Sequence, residues 1–195
     1  MKIVEPILGI VAVLSMILNL VDVPATRSIL VFSLTILSLI YFYLSFALFN
    51  GIRLREIFKK KSYIEISTLK IIVAIFTGIV LSIVTMGLLF KYQEYPGGTQ
   101  FIVIGLAGLI VIFTIAIVKY KKTKSEYYLK ILSRAIFYGV IGLSLILIPK
   151  ETWLELRFKN HPEYIDIQKK SWADPENREL RIRAEKERMK TYEKE

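Results

Sequence analysis

One histidine, His161, and no cysteine are what this chain offers for metal, thiol or general acid–base chemistry. A lone histidine without a second ligand in view reads as a surface residue. The absence of cysteine removes disulfides, thiolate nucleophiles and cysteine metal sites together. No phosphate-binding glycine loop, dinucleotide fingerprint, zinc-binding H-E-x-x-H or G-x-S-x-G nucleophile turn occurs. The remaining polar groups in apolar surroundings are hydroxyls: Ser33, Thr35, Ser38, Ser45, Thr77, Ser82, Thr85 and Thr114, with Tyr41, Tyr43 and Tyr138. Such groups hydrogen-bond their own helix or a neighbour. The residue types therefore imply no catalytic site, no bound metal and no cofactor, and the expected function is non-enzymatic.

The elements that carry these residues are set by hydropathy. The 195 residues are 54% hydrophobic with mean hydropathy +0.49, outside the range of ordinary soluble domains. Charge-free stretches cover Pro6–Val21, Ser28–Ile52, Ile71–Phe90, Tyr95–Val118 and Ala135–Pro149. A helix needs about 20 residues to cross about 30 Å of hydrocarbon. Three stretches meet this outright. The first needs Ile3 and Val4, and the fifth needs Ile131 and Leu132, with Arg134 snorkelling to the headgroups. The expected fold is all-α: a polytopic integral membrane protein with five transmembrane helices in duplicated hairpins and a charged C-terminal helical tail. Lys2, an apolar run and "VPA" before Thr26 loosely resemble a cleaved signal peptide; Glu5, Pro24 and the repeat below argue for a retained helix.

The formal charge of +10 belongs to the apolar part. Residues 1–149 hold 15 Lys/Arg against 6 Asp/Glu, and residues 150–195 hold 12 against 11. Short basic clusters between apolar runs mark membrane topology and exclude a basic nucleic-acid face. Arg53, Arg55, Lys59, Lys60, Lys61 and Lys70 fill one connection, and Lys119, Lys121, Lys122, Lys124, Lys130 and Arg134 another. The positive-inside rule places both in the cytoplasm. The N-terminus is then cytoplasmic, and the Pro24 and Pro96 turns and the tail are periplasmic across a cytoplasmic (inner) membrane. "RLREIFKKK" (53–61) also fits a segment lying on anionic lipid, and topogenic charge explains it equally.

A displacement of 72 positions lays Pro24 on Pro96, Asp22 on Glu94 and Ala25 on Gly97. Pro96, Gly97 and Gly98 suit a tight helical hairpin, with Pro24 marking its worn copy. "LKII" and "AIFTG" (69–78) return as "LKIL" and "AIFYG" (129–139). Both hairpins enter from the same side, which departs from the inverted repeats of many transporters. The organisation expected is a first transmembrane hairpin (1–52), a basic loop (53–70), a second hairpin (71–118), a basic loop (119–134), a fifth helix (135–150) and a tail (151–195).

No acid or base is expected deep in the spans. Small residues are the notable feature: Ala74, Gly78 and Ser82 at spacing four, Gly105 and Gly108, and Ala135 with Gly139. They permit close helix packing, within the chain or against another subunit. In the tail, Trp153 is positioned as an interfacial anchor, and Asp174 followed by Pro175 and Glu176 reads as a helix start.

"LLFKYQEYPGGTQFIVIGL" (88–106) resembles the helical hairpin of GldL/PorL-type proteins, through Leu89, Phe90, Lys91, Ile104, Gly105 and Leu106. Those are inner-membrane motor subunits of Bacteroidota gliding motility and type 9 secretion. The resemblance implies an inner-membrane helical hairpin. It also implies a glutamate after "IGL" tied to proton-driven rotation, whereas Ala107–Phe113 holds no acid, and the long cytoplasmic coiled region is missing. The reading that follows is a structural or accessory subunit of an inner-membrane assembly, whose partners are the lipid bilayer and other membrane subunits. Its alternative is a small channel or transporter for a neutral solute, lined by the hydroxyls.

Overall fold

The structure, a computed structural model, describes residues 3–21, 23 and 25–193. Among the described residues eight α-helices follow one another: α1 Val4–Asn19, α2 Thr26–Asn50, α3 Thr68–Tyr92, α4 Gly98–Thr123, α5 Glu126–Leu147, α6 Lys150–Arg157, α7 Pro162–Ala173 and α8 Arg178–Glu193. Two 3-10 turns, Leu54–Glu56 and Lys60–Tyr63, lie between α2 and α3. The fold is all-helical, and four helices, α2 to α5, are long and apolar enough to cross a membrane.

The two stretches that needed extra residues in the sequence differ in the structure. The last span is a full 22-residue helix, because α5 begins at Glu126 and draws part of the basic 119–134 segment into regular structure. Its partner α4 runs on through Lys121 and Lys122, and Lys124 in a left-handed conformation (φ 52°) ends it. Helix α1, in contrast, has 16 residues, about 24 Å of rise, short of the roughly 30 Å of hydrocarbon.

Contacts divide the chain into two compact units. Met1–Ala12 with Leu30–Leu147 forms the first, and Val13–Ile29 with Ile148–Glu195 the second. In the first, α3 is the hub. It is 56% buried over its most apolar window, against 28% for α4 and 33% for α5. Leu81 and Val84 of α3, Ile102 and Ile112 of α4 and Ile131 of α5 are fully buried. Outward faces carry Phe32, Ile36, Val103, Ile110, Ile136 and Val140, all exposed as a lipid-facing surface requires.

The turns closing α1–α2 and α3–α4 share a backbone pattern. Val23 N–H donates to Leu18 O (3.2 Å), as Tyr95 N–H does to Phe90 O (2.8 Å). Thr26 N–H donates to Val23 O (3.4 Å), as Gly98 N–H does to Tyr95 O (3.4 Å). Ile29 N–H donates to Ala25 O (3.2 Å), as Phe101 N–H does to Gly97 O (3.0 Å). Ala25 (φ 64°) and Gly97 (φ 87°) occupy the same left-handed step, at a strain cost of about 1–2 kcal/mol for the alanine and none for the glycine. Each turn is also tied by a side chain: Asn19 Nδ2 to Thr26 Oγ1 (3.2 Å) and Lys91 Nζ to Thr99 Oγ1 (3.3 Å). Pro24 and Asp22, on which the worn copy was read, lie outside the described residues.

In the second unit the tail folds on itself. Leu154, Phe158 and Tyr164 form a small buried cluster with Ile165 and Trp172 against it. The Lys150 ammonium sits 4.6 Å from the Trp172 ring centre, and Lys169 pairs with Glu155. Two tail expectations are corrected. Trp153 is 5% exposed, so it is a packed residue and not a headgroup anchor. Asp174 follows the end of α7, and α8 starts four residues later at Arg178, where the side-chain oxygen of the preceding Asn177 accepts the Leu180 N–H (3.2 Å). Asn177 reaches an otherwise unsatisfied first-turn amide; Asp174 instead accepts from Asn177 Nδ2 (3.3 Å).

Candidate functional site

Three helices of the first unit converge on one carboxylate. Glu5 lies in the first turn of α1 and is 6% exposed. Arg134, eight residues into α5, grips it as a fork: Nε meets Oε1 and Nη2 meets Oε2. From α2, the Tyr41 hydroxyl donates to Oε1 (2.8 Å). The Tyr138 hydroxyl of α5 is 3.1 Å from that of Tyr41. A phenol has one proton, and Tyr41 commits its own to the carboxylate, so Tyr138 donates to Tyr41. The rings meet edge to face with centroids 5.6 Å apart. Arg134 Nη1 donates to Lys130 O (2.9 Å), and its guanidinium lies 5.1 Å from the centre of the Phe49 ring.

Spacing on α5 explains half of the arrangement, because Arg134 and Tyr138 are four apart and share a face. The other half is tertiary. Tyr41 is 1% exposed and Tyr138 4%, so both hydroxyls must find partners inside the protein. Two charges in such a place are tolerated because the pair is bidentate and its remaining lone pairs are engaged. Arg134 therefore turns inward to Glu5, forming a buried ion pair between α1 and α5 that the sequence reading did not anticipate.

The other hydroxyls have local uses. Ser38 and Ser82 share a hydrogen bond (2.8 Å) between α2 and α3. Thr77, Thr85 and Thr114 donate to carbonyls one turn back: Val73 (2.7 Å), Leu81 (2.7 Å) and Ile110 (2.9 Å). Tyr43 is 62% exposed.

The small residues lie as follows. Ala74 is fully buried and Ala135 nearly so. A Cβ on Gly78 would fall 2.1 Å from Ser45 Cβ and 2.4 Å from Tyr41 O, so α2 and α3 touch backbone to backbone there. Gly105 faces Val84 and Gly108 faces Val80, at 2.3 and 2.7 Å from an added Cβ. Gly139 has ordinary room, with Leu109 at 4.0 Å. Of the turn residues, Gly97 supplies the left-handed step, and Gly98 abuts the Lys91 backbone at 2.5 Å from an added Cβ. His161 precedes α7 and lines an open cleft of about 300 Å³ with Glu163, Tyr164, Glu187, Lys190 and Thr191. Among the described residues no three His, Asp or Glu side chains are grouped to hold a metal.

Glu5 is the residue that sequence reasoning passed over. It lies near the chain start among few neighbours of note, and its partners are 36 and 129 positions away. The available signal was a single acid in the first turn of apolar α1, matched by a single arginine within apolar α5.

Residues 76–132 match the GldL N-terminal domain. The matched stretch takes in α3 from Phe76, all of α4 and α5 as far as Leu132, under a third of the chain. It contains the 88–106 hairpin through which the sequence resembles that family. No curated protein and no solved structure matches the chain. Glu5, Tyr41, Arg134 and Tyr138 all lie outside the matched stretch. The protein is thus a membrane protein with several apolar helices, one pair of them resembling a GldL hairpin, and the ion pair between α1 and α5 lies outside that match.

Proposed function

We propose that this protein is a non-enzymatic accessory subunit of a bacterial inner-membrane assembly. The observation that carries the reading is the GldL N-terminal domain match over the α3–α4 hairpin. A motor role for that hairpin is disfavoured, because Ala107–Phe113 of α4 contains no acid to carry protons. Among the described residues the buried acid is instead Glu5, held by an arginine and a tyrosine. In this reading Glu5 and Arg134 act as a latch that fastens the short α1 to the longer helices. On the same reading the 16-residue α1 adds a fifth crossing to those of α2 to α5, its shortfall met by local thinning of the bilayer, so that the N-terminus is cytoplasmic and the tail periplasmic. The repeated backbone pattern of the two turns supports a duplicated hairpin.

The alternative, a pathway for a neutral solute, would draw on the hydroxyls. Tyr41, Tyr138, Ser38, Ser82, Thr77 and Thr85 bond within the protein, which favours the subunit reading. The test is extraction in mild detergent followed by mass spectrometry of what co-purifies. A stoichiometric membrane partner is expected, and it should be lost when residues 160–195 are removed. A lone chain or homo-oligomer that conducts solute in liposomes would overturn the proposal.

A further inference from the structure

The connection between α2 and α3 is folded, yet it leaves its largest apolar side chains bare. Phe58 is 97% exposed, Ile64 77% and Leu54 52%. The segment is anchored from below. The Tyr63 hydroxyl donates to Ile57 O (2.6 Å), and its ring stacks on Phe46 in the last turns of α2, centroids 6.4 Å apart. Ile52 is buried at its start. The two 3-10 turns thus present Phe58 and Ile64 in a set arrangement. A ring that bare in a folded segment is unfavourable in water, and an apolar environment would remove the penalty.

Charge decides what that environment is. Arg53, Arg55, Lys59, Lys60 and Lys61 are all exposed on the same connection, against Glu56 and Glu65. Both ends of the segment continue into helices long and apolar enough to span a bilayer. Phe58 lies eight positions after the end of α2, so the patch is held at the membrane surface by the chain itself. Apolar side chains alternating with long cationic ones at that depth match an acyl-chain boundary topped by negative headgroups.

We propose that residues 53–66 form a binding site for anionic phospholipid, with Phe58 and Ile64 inserted among the acyl chains and Lys59, Lys60 and Lys61 on the phosphates. The role is independent of the subunit reading above. It is also more than topogenic charge, which requires cations but has no use for a displayed phenylalanine.

The chain lacks cysteine, so Ser62→Cys gives a single labelling position beside the patch. The full-length variant, labelled with bimane, is reconstituted in nanodiscs of phosphatidylcholine with a minority of phosphatidylglycerol. Bromine quencher is carried on one lipid or the other at matched mole fraction. Brominated phosphatidylglycerol should quench more strongly than brominated phosphatidylcholine, and salt should reduce the difference. Changing Lys59, Lys60 and Lys61 to Gln should lower the preference by about fivefold per cation at low salt. Phe58→Ser with Ile64→Ser should weaken quenching by both lipids while circular dichroism stays unchanged. Equal quenching by the two lipids in the parent protein would overturn the proposal. So would absence of quenching, the result expected if the patch were covered by a protein partner.

Discussion

Removing either half of the Glu5–Arg134 latch should damage the protein unequally, and the structure gives the order. Arg134→Leu leaves a carboxylate, 7% exposed along its side chain, with the Tyr41 hydroxyl as its remaining described partner. Breaking a buried pair from one side costs about 3–5 kcal/mol. Glu5→Leu leaves an arginine that is 22% exposed, keeps the Lys130 carbonyl and the Phe49 ring, and lies only about two turns from the start of α5. It can relax towards the headgroups, so about 1–3 kcal/mol is expected. The double variant Glu5→Leu/Arg134→Leu strands neither charge and should beat the sum of the single losses by about 2 kcal/mol. Unfolding by added SDS in mixed micelles, followed by circular dichroism, gives the three values. A second readout isolates α1. Ala12, 5% exposed, becomes the sole cysteine as Ala12→Cys, and its maleimide labelling should be slow in the parent, fast with Arg134→Leu and intermediate in the double variant. A coupling below about 0.5 kcal/mol would show that the two residues do not act as a unit. A larger loss from Glu5→Leu than from Arg134→Leu would refute the argument from exposure.

Gly78→Leu should cost about 1–3 kcal/mol in the same SDS assay by forcing α2 from α3, whereas Gly9→Ala, with nothing within 4 Å of the added Cβ, should be silent. Gly97→Val places a β-branched residue at φ 87° and should cost about 1–2 kcal/mol. In the tail, Asn177→Ala should lose about 1 kcal/mol of α8 stability, seen as faster amide exchange in its first turn, while Asp174→Ala should lose less. The Glu187 carboxylate is held below its ordinary range by the Lys190 ammonium that bonds it at 2.6 Å. Its small contribution is present above the unfolded carboxylate range and is lost as pH falls through the lowered value. An NMR titration of the full chain should find its midpoint below that of a free glutamate, and Lys190→Met should raise it.

How much was legible in the sequence follows from the range of each interaction. Apolar run length and the Gly97 turn are local properties, so the helical class and the α3–α4 hairpin stand in the sequence itself, as does the resemblance at 88–106. Boundaries were less secure where polar and apolar signals overlap. The basic residues of 119–134 suggested a loop, yet Lys121, Lys122 and Lys130 are good helix formers and extend α4 and α5. In the tail, Asp174 and Asn177 are both good caps, and local sequence does not rank them. Trp153 carries an interfacial residue type, and only packing showed it buried.

The sequence by itself determined that this is a helical membrane protein without thiol chemistry, with its cations in short connections. Those conclusions rest on composition and on the length of chain needed to cross hydrocarbon. Only the tertiary structure decided that Glu5, Tyr41, Arg134 and Tyr138 form one site and that Phe58 is left bare. The reason is physical. A charge is costly or harmless in a membrane according to what stands beside it, and Glu5 finds its arginine 129 positions further along the chain.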